Sequence, residues 1–343
     1  MMTGWLKLTD KQRQETLAQA QLGSGIGVKA LEKDWWVTLT LKALFQSEYS
    51  KWLVFKGGTS LSKGWKLINR FSEDVDIALD PAAFGMTYQE HPSKSFVEKL
   101  KRRGCVFTSN ELLTVLRNQM KGLGVPDDQF TVEAALVRAD RPDTDPQTLH
   151  VRYRSLFAPH PYIADDVKIE VSARSLTLPF AQRPILSLLT EYFPNEEYAE
   201  KPFEIPVVEP RKTFLEKTFL LHEEFARMDK GRIRHERMSR HFYDLACMRN
   251  GVSLEALADH ELHKQLVRHR EWYSRLHWVD YSSLSRERLS FLPPDEVIDL
   301  YRADYFTMRE HMIYREAPDF DEIIQELKGL QGEFRMKDRK SVV

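Results

Sequence analysis

The feature that most constrains this chain is an apolar strand, a glycine turn, a helix-length gap and a second strand that carries two carboxylates. The strand and turn span residues 55–60. The second strand lies within residues 70–79, where Asp74 and Asp76 share one face because side chains alternate along a strand. Glycines let backbone N–H groups approach a phosphate closely, and carboxylates bind Mg²⁺ through oxygen. The pattern therefore predicts a divalent metal that holds a triphosphate, which is the chemistry of nucleotidyl transfer.

A third carboxylate is predicted on a later strand. Val167, Ile169 and Val171 form the apolar face of that strand, so Lys168 and Glu170 share its opposite face. If this strand is the neighbour of the Asp-x-Asp strand, three acids converge, and two metal ions about 3.5–4 Å apart would clamp the attacking and leaving oxygens. Glu170 would then accept the proton of the acceptor hydroxyl, directly or through the metal, and Lys168 would neutralise charge on the triphosphate.

The bulk composition is that of a globular protein without the overall charge of a nucleic-acid binder. The chain has 343 residues, 42% hydrophobic and 29% charged, with a formal net charge of -1, so contacts with nucleic acid must come from a local basic patch. Cys105 and Cys247 supply neither a disulfide framework nor a Cys-x-x-Cys metal pair. No segment approaches the length of a membrane span. We therefore expect a cytoplasmic protein with no membrane partner.

Periodicity divides the chain into two predicted domains. Residues 1–205 combine helical and strand-like runs and are expected to form a catalytic domain that includes N-terminal helices. Residues 206–343 carry helical periodicity and are expected to form a helical domain, with a frayed charged tail at residues 337–340. The segment 81–165 contains no diagnostic motif, so its role stays open. The predicted fold class is α+β.

Several short motifs occur in the order that one known family uses. They span residues 32–35, 56–61, 70–76, 167–170, 216–217 and 240–245. On these motifs the chain resembles the AbiEii/AbiGii-type nucleotidyltransferase toxins, relatives of the MenT toxins within the DNA polymerase β-like nucleotidyltransferase superfamily. Two positions depart from the family pattern. His241 stands where relatives often carry aspartate, which leaves its role open, and Glu170 replaces an aspartate with one more methylene of reach.

The resemblance implies a fold, a reaction and a set of site residues. The fold is a polymerase β-like core, a mixed sheet flanked by helices, followed by a helical domain that completes the active-site cleft. The reaction is Mg²⁺-dependent transfer of a nucleoside monophosphate from an NTP to an acceptor, which in characterised relatives is the 3′ end of tRNA. The implied partner is an antitoxin, in a pair used for phage defence. The expected metal ligands are Asp74, Asp76 and Glu170; the further catalytic residues are Lys168, Lys217 and Asp244; and the nucleotide-binding residues are Gly57, Gly58, Thr59, Ser60, Lys63 and Arg240.

Several alternatives stay open at the level of sequence. The same site chemistry would serve nucleotidyl transfer to protein hydroxyls, and a non-catalytic nucleotide-binding regulator is a third reading. Arg240 and Asp244 are four residues apart, so they share a helix face and would also fit a surface ion pair. Two local basic clusters, residues 99–103 and 230–237, are candidates for contacts with RNA phosphates. No local motif encodes which NTP is used.

Overall fold

The computed structural model describes residues 2–337, so the predicted frayed tail beyond Lys337 lies outside the described residues. The chain divides into two compact units. The first comprises Met1–Lys66 and Phe71–Val208, and the second comprises Leu67–Arg70 and Glu209–Val343. Within residues 2–337, no helix combines the length and the apolar character that crossing a membrane requires.

The first unit is built on a mixed seven-stranded sheet. Its strand order is β3-β4-β5-β2-β1-β7-β6; β2 runs parallel to β5 and β1 parallel to β7, while the other neighbours are antiparallel. The strands are β1 (Leu53–Lys56), β2 (Val75–Leu79), β3 (Phe130–Ala134), β4 (Gln147–Tyr153), β5 (Asp166–Ser172), β6 (Phe180–Ile185) and β7 (Phe203–Val208).

Helices of the first unit cover the apolar face of this sheet. Trp36 is fully buried and stacks on Tyr153 of β4 with ring centroids 5.0 Å apart, which fixes the second helix against that face. The α-helices are α1 (Asp10–Ser24), α2 (Val28–Phe45), α3 (Gly57–Lys63), α4 (Lys94–Phe107), α5 (Leu113–Gly122) and α6 (Leu188–Tyr192). Short 3₁₀ helices span Met2–Lys7, Ser50–Trp52 and Pro81–Phe84, and a π-helical turn at Thr108–Leu112 joins α4 to α5.

Strands β2 and β5 are neighbours in the sheet, and each places apolar side chains on one face and polar side chains on the other. On β2 and β5, Ile77 and Ile169 are fully buried, whereas Asp76 and Glu170 point to the opposite face and are half-buried. The sequence alternation therefore places the acidic side chains away from the helical layer of α2.

The second unit is helical, apart from one isolated bridge between Arg70 and Ile313 in its described residues. Its aromatic core includes Phe242, whose ring contacts those of Phe225 and Tyr301. The helices are α7 (Pro210–Phe225), α8 (Arg240–Cys247), α9 (Val252–Ala258), α10 (His260–Tyr273), α11 (Ile298–Met312) and α12 (Phe320–Lys337), with 3₁₀ helices at Lys230–Arg232 and Tyr281–Leu284.

The division between the units differs from the predicted one in two ways. Strand β7 runs through residue 205 to Val208, so the first unit ends three residues later than the sequence pattern suggested. Strands β6 and β7 were not predicted from the sequence, because each contains a proline and proline is unusual inside a sheet. In addition, Leu67–Arg70 belongs to the second unit although it lies between β1 and β2 in sequence.

Candidate active site

The structure brings together the acids predicted on β2 and β5. Asp76 and Glu170 occupy directly paired positions on these neighbouring parallel strands, and Asp74 lies one residue before β2 begins. Adjacent strands are about 4.8 Å apart, so carboxylates on one face at paired positions lie within reach of a common cation. All three acids are half-buried. Three carboxylates therefore gather on the polar face of the sheet.

Lys168 lies among these acids. Its ammonium group forms an ion pair with the carboxylate of Glu170, two residues further along the same face of β5. Burial alone would lower the pKa of Lys168, but the hydrogen bond and charge of Glu170, joined by the charges of Asp74 and Asp76, raise that pKa overall. The lysine is therefore a charged group held inside an acidic cluster.

The donor set of the cluster fits a hard divalent cation. Carboxylate oxygens are the ligands that Mg²⁺ prefers, and Asp74, Asp76 and Glu170 are the residues that would hold it. Within residues 2–337, no three His, Cys, Asp or Glu side chains already stand in a metal-binding arrangement. The ammonium of Lys168 already forms an ion pair with the Glu170 carboxylate. A cation bound by all three acids would thus compete with Lys168.

Gly57 allows the backbone to approach Asp76. Its φ of +78° lies in the left-handed region, and a Cβ atom at this position would lie 2.0 Å from an oxygen of the Asp76 carboxylate. Gly57 begins α3 directly after β1, and both Gly57 and Gly58 are half-buried. Backbone N–H groups at the start of a helix have no intrahelical partner. These two glycines therefore place such groups beside the acids.

Gly57→Ala is expected to destabilise the protein by about 1–3 kcal/mol and to reduce its activity severely, because the methyl group displaces the Asp76 carboxylate. Gly85→Ala is the matched control: Gly85 also has a positive φ, of +71°, but nothing lies within 4 Å of the added methyl group. Thermal unfolding should show a loss for both variants, and activity should fall in Gly57→Ala alone. Equal activity in both variants would contradict the proposed close approach.

Helix α3 turns three of the predicted nucleotide-binding side chains into the interior of the first unit. Ser60 is fully buried and donates to the carbonyl of Gly57 at 2.8 Å. Thr59 donates to the carbonyl of Asp74 and lies 2.9 Å from the Ser72 hydroxyl. Lys63 is also buried.

The partner of Lys63 is a buried carboxylate. Its ammonium nitrogen lies 2.6 Å from the Asp34 carboxylate, and both side chains are almost wholly shielded from solvent. Breaking such a pair leaves an uncompensated buried charge, which costs several kcal/mol. Lys63 therefore stabilises the junction of α2 and α3, and its binding of nucleotide stays a prediction.

A second cluster of predicted residues lies in the helical unit and centres on Asp244. The fully buried carboxylate of Asp244 accepts two hydrogen bonds from the Arg70 guanidinium, at 2.7 and 2.8 Å. It also lies 2.9 Å from the ammonium of Lys217, which is 3.3 Å from the Nδ1 of His241. Because Asp244 is fully buried between these two basic partners, its carboxylate does not lie on the protein surface.

Burial and neighbouring charges shift the pKa values of Asp244, His241 and Lys217. Although burial alone would raise it, the pKa of Asp244 is held well below its usual range by Arg70 and Lys217. Burial, with the charges of Lys217 and Arg240, holds the pKa of His241 well below its usual range, so its imidazole is neutral. Burial is also the main cause that lowers the pKa of Lys217. Two basic side chains, Arg70 and Lys217, thus share one buried carboxylate.

Arg70 was the residue that sequence reasoning missed. It lies in the motif at residues 70–76, but sequence alone assigns no role to it. Its partner Asp244 lies 174 positions away in sequence, and spacing within α8 pointed to Arg240 instead. The available signal was a basic residue that opens this motif, a few residues before the Asp-x-Asp strand.

Comparison with known families decides the class of this chain. Residues 40–326 match the family described as nucleotidyl transferase AbiEii toxin, type IV toxin–antitoxin system. The chain belongs to the AbiEii family. No curated protein gives a significant match. The match covers β1, α3, β2, β5, α7 and α8, so both clusters described above lie inside the region that defines the AbiEii family. A nucleotidyltransferase of this family uses an NTP as donor, and the system to which such a toxin belongs includes an antitoxin.

Proposed function

We propose that this chain is a Mg²⁺-dependent nucleotidyltransferase that transfers a nucleoside monophosphate from an NTP to the 3′ end of tRNA. It would act in the cytoplasm as the toxin of a toxin–antitoxin pair used in phage defence. The observation that carries the proposal is the direct pairing of Asp76 with Glu170 on neighbouring strands, with Gly57 against one acid and Lys168 against the other.

The acidic cluster supplies the groups that this transfer needs. The acceptor hydroxyl oxygen attacks the α-phosphorus, the bond to the bridging oxygen of the β-phosphate breaks, and pyrophosphate leaves. When bound, Mg²⁺ would neutralise the triphosphate and stabilise the charge that develops on it. Asp74, Asp76 and Glu170 would hold the cation, and Glu170 would accept the proton of the acceptor hydroxyl. Lys168, released from Glu170, would pair with a phosphate oxygen.

The basic cluster of the helical unit supports a second contact with the donor. Lys217 is held by Asp244 in a fixed position, and the neighbouring charges of Arg70 and Arg240 disfavour its protonated form. An anion beside Lys217 would relieve that repulsion. We therefore propose that Lys217 and Arg240 bind the triphosphate, that Asp244 orients Lys217, and that this unit is the helical domain of a polymerase β-like enzyme.

Exposed basic residues on α4 support an RNA acceptor. Lys99, Arg102 and Arg103 are exposed on one helix, where they can contact phosphates without losing an existing buried bond. The basic cluster at residues 230–237 gives weaker support for an RNA acceptor, because Arg234 already forms an ion pair with the buried carboxylate of Glu224. RNA binding is thus assigned first to α4.

The test is an incubation of the purified protein with Mg²⁺, total tRNA and each NTP in turn, labelled at the α-phosphate. One NTP should label tRNA, and chelation of Mg²⁺ should abolish labelling. Periodate-oxidised tRNA, which lacks the intact 3′-terminal ribose diol, should remain unlabelled and serves as the control for the site of attachment. Label on protein alone would instead support transfer to protein hydroxyls. NTP binding without label on any acceptor would support a non-catalytic regulator.

A further inference from the structure

Helix α2 carries three consecutive charged residues in the interior of the first unit. Glu32, Lys33 and Asp34 are 0%, 3% and 5% exposed. Burying a charge is costly unless it is paired and hydrogen-bonded. Each of these side chains is bonded to a segment outside α2, so their partners identify which parts of the unit this helix holds in place.

Lys33 holds the residue that precedes the predicted metal ligands. Its ammonium nitrogen lies 2.7 Å from the carboxylate of Glu73 and 3.1 Å from the carbonyl oxygen of Ala164. Glu73 is itself only 6% exposed and is followed directly by Asp74. A buried ion pair therefore fixes the backbone one residue from the first acid of the cluster.

The segment held in this way has no regular structure of its own. Residues 71–74 belong to no helix or strand, so no ladder of regular secondary structure sets their position. Side chains contribute to holding them: Lys33 binds Glu73, and Thr59 donates to the carbonyl of Asp74 and contacts the hydroxyl of Ser72. These bonds therefore help to fix the path of the chain into β2.

The same helix also holds the chain on either side of the connection that leads into β5. Glu32 accepts a hydrogen bond from the backbone N–H of Leu156 at 2.8 Å, and Lys33 binds Ala164 at the other end of the connection. Lys29 forms an ion pair with Asp165, immediately before β5 begins. One helix therefore anchors the approaches to both strands that carry the acidic cluster.

We propose that Lys33 is a positioning residue of the active site, which acts through Glu73 to place the carboxylates of Asp74 and Asp76. This inference rests on the proposed function for its catalytic meaning. It assigns to a buried lysine, remote from solvent, control over the metal-binding geometry of the sheet face. Partners that orient metal ligands typically change metal affinity or activity 10–100-fold when they are replaced.

The test uses the neutral double variant Lys33→Met/Glu73→Gln, which leaves no unpaired buried charge, beside Lys33→Met alone. Amide hydrogen exchange of the peptide that contains residues 72–76 should become faster. Calorimetric titration with Mn²⁺, in the presence of a non-hydrolysable NTP analogue, should show roughly 10–100-fold weaker binding. The rate of transfer should fall, and raised metal concentration should restore part of it.

The matched control is Glu200→Gln in the same unit. Glu200 is also 6% exposed and accepts hydrogen bonds from the backbone of Ser187 and the hydroxyl of Thr190. This variant should lose stability without changing Mn²⁺ affinity or exchange at residues 72–76. A folded double variant with wild-type exchange and wild-type Mn²⁺ affinity would overturn the role of Lys33. If wild-type protein binds Mn²⁺ but transfers no nucleotide, the proposed function fails. The difference in Mn²⁺ affinity and exchange between wild type and the double variant would still test the positioning role of Lys33.

Discussion

Asp76→Asn is expected to reduce nucleotidyl transfer by about 10³-fold or more while the protein stays folded. A bound metal contributes several kcal/mol of charge stabilisation in the transition state, and each 1.36 kcal/mol corresponds to a factor of about ten in rate. Asparagine keeps the size of the side chain beside Gly57 but removes the negative charge that would hold the cation. Initial rates of label transfer, measured with wild type and variant at equal protein concentration, give the result.

The fold of this variant should be preserved for an electrostatic reason. Asp76 shares the sheet face with Asp74 and Glu170, and like charges at close distance repel. Removing one of them relieves part of this repulsion, which offsets the lost attraction between Asp76 and Lys168, so the protein should stay folded. Circular dichroism and thermal unfolding check this, and they separate a lost catalytic group from a lost structure.

The matched control for Asp76→Asn is Asp80→Asn. Asp80 directly follows the same strand and accepts a hydrogen bond from the backbone N–H of Ala82 at 2.9 Å, which an asparagine oxygen can also accept. Transfer by Asp80→Asn should stay near the wild-type rate. Expression of the wild-type chain in a bacterium should arrest growth, and Asp76→Asn should relieve the arrest where Asp80→Asn does not. A folded Asp76→Asn protein with full transfer activity would refute the assignment of the metal ligands.

The alternation of side chains along β2 and β5 predicted which residues of the acidic cluster share a face. The period of two in β2 and β5 correctly separated the buried residues, such as Ile77 and Ile169, from Asp76 and Glu170. The sequence did not show that β2 and β5 are neighbours, so the convergence of the acids was predicted only on the assumption that they are. Register depends on which residues of two distant segments pair, and no local pattern encodes that choice.

The first turn of α3 was harder to predict. A glycine turn followed by hydroxyl groups suggests side chains on a phosphate, but the helix begins at Gly57 itself. Its start at that residue turns Thr59, Ser60 and Lys63 into the core. Their polar atoms are satisfied by partners such as Asp34, which lies 29 positions away in sequence. Polar character alone cannot distinguish a ligand contact from a buried bond of this kind.

Asp244→Asn is expected to destabilise the protein by about 3–5 kcal/mol, the typical cost of removing one partner of a buried ion pair. The carboxylate is fully buried and bonded to Arg70 and Lys217, so its loss removes the negative charge that these two buried basic side chains share. The melting temperature should fall by roughly 10 °C. Activity measured well below the new melting temperature should also fall, because Lys217 loses the group that orients it.

The pH dependence of this loss has a definite sign. The folded-state pKa of Asp244 lies below the value of about 3.9 expected for an unfolded chain, so its stabilising contribution is complete above that value. The contribution declines as the pH falls towards the folded-state pKa. The stability difference between wild type and Asp244→Asn should therefore be constant from about pH 8 to pH 5 and should shrink below about pH 4.

Lys217→Met separates stability from function in the same cluster. Burial already disfavours the ammonium of Lys217, and its removal leaves the two-bond pair of Arg70 and Asp244 intact. This variant should therefore unfold near the wild-type temperature yet lose most of its transfer activity if Lys217 binds the triphosphate. The double variant Asp244→Asn/Lys217→Met no longer buries the ammonium of Lys217 beside Arg70 without the Asp244 carboxylate, so it should be more stable than Asp244→Asn alone. A double variant whose loss equals the sum of the single losses would show that the two side chains are not coupled.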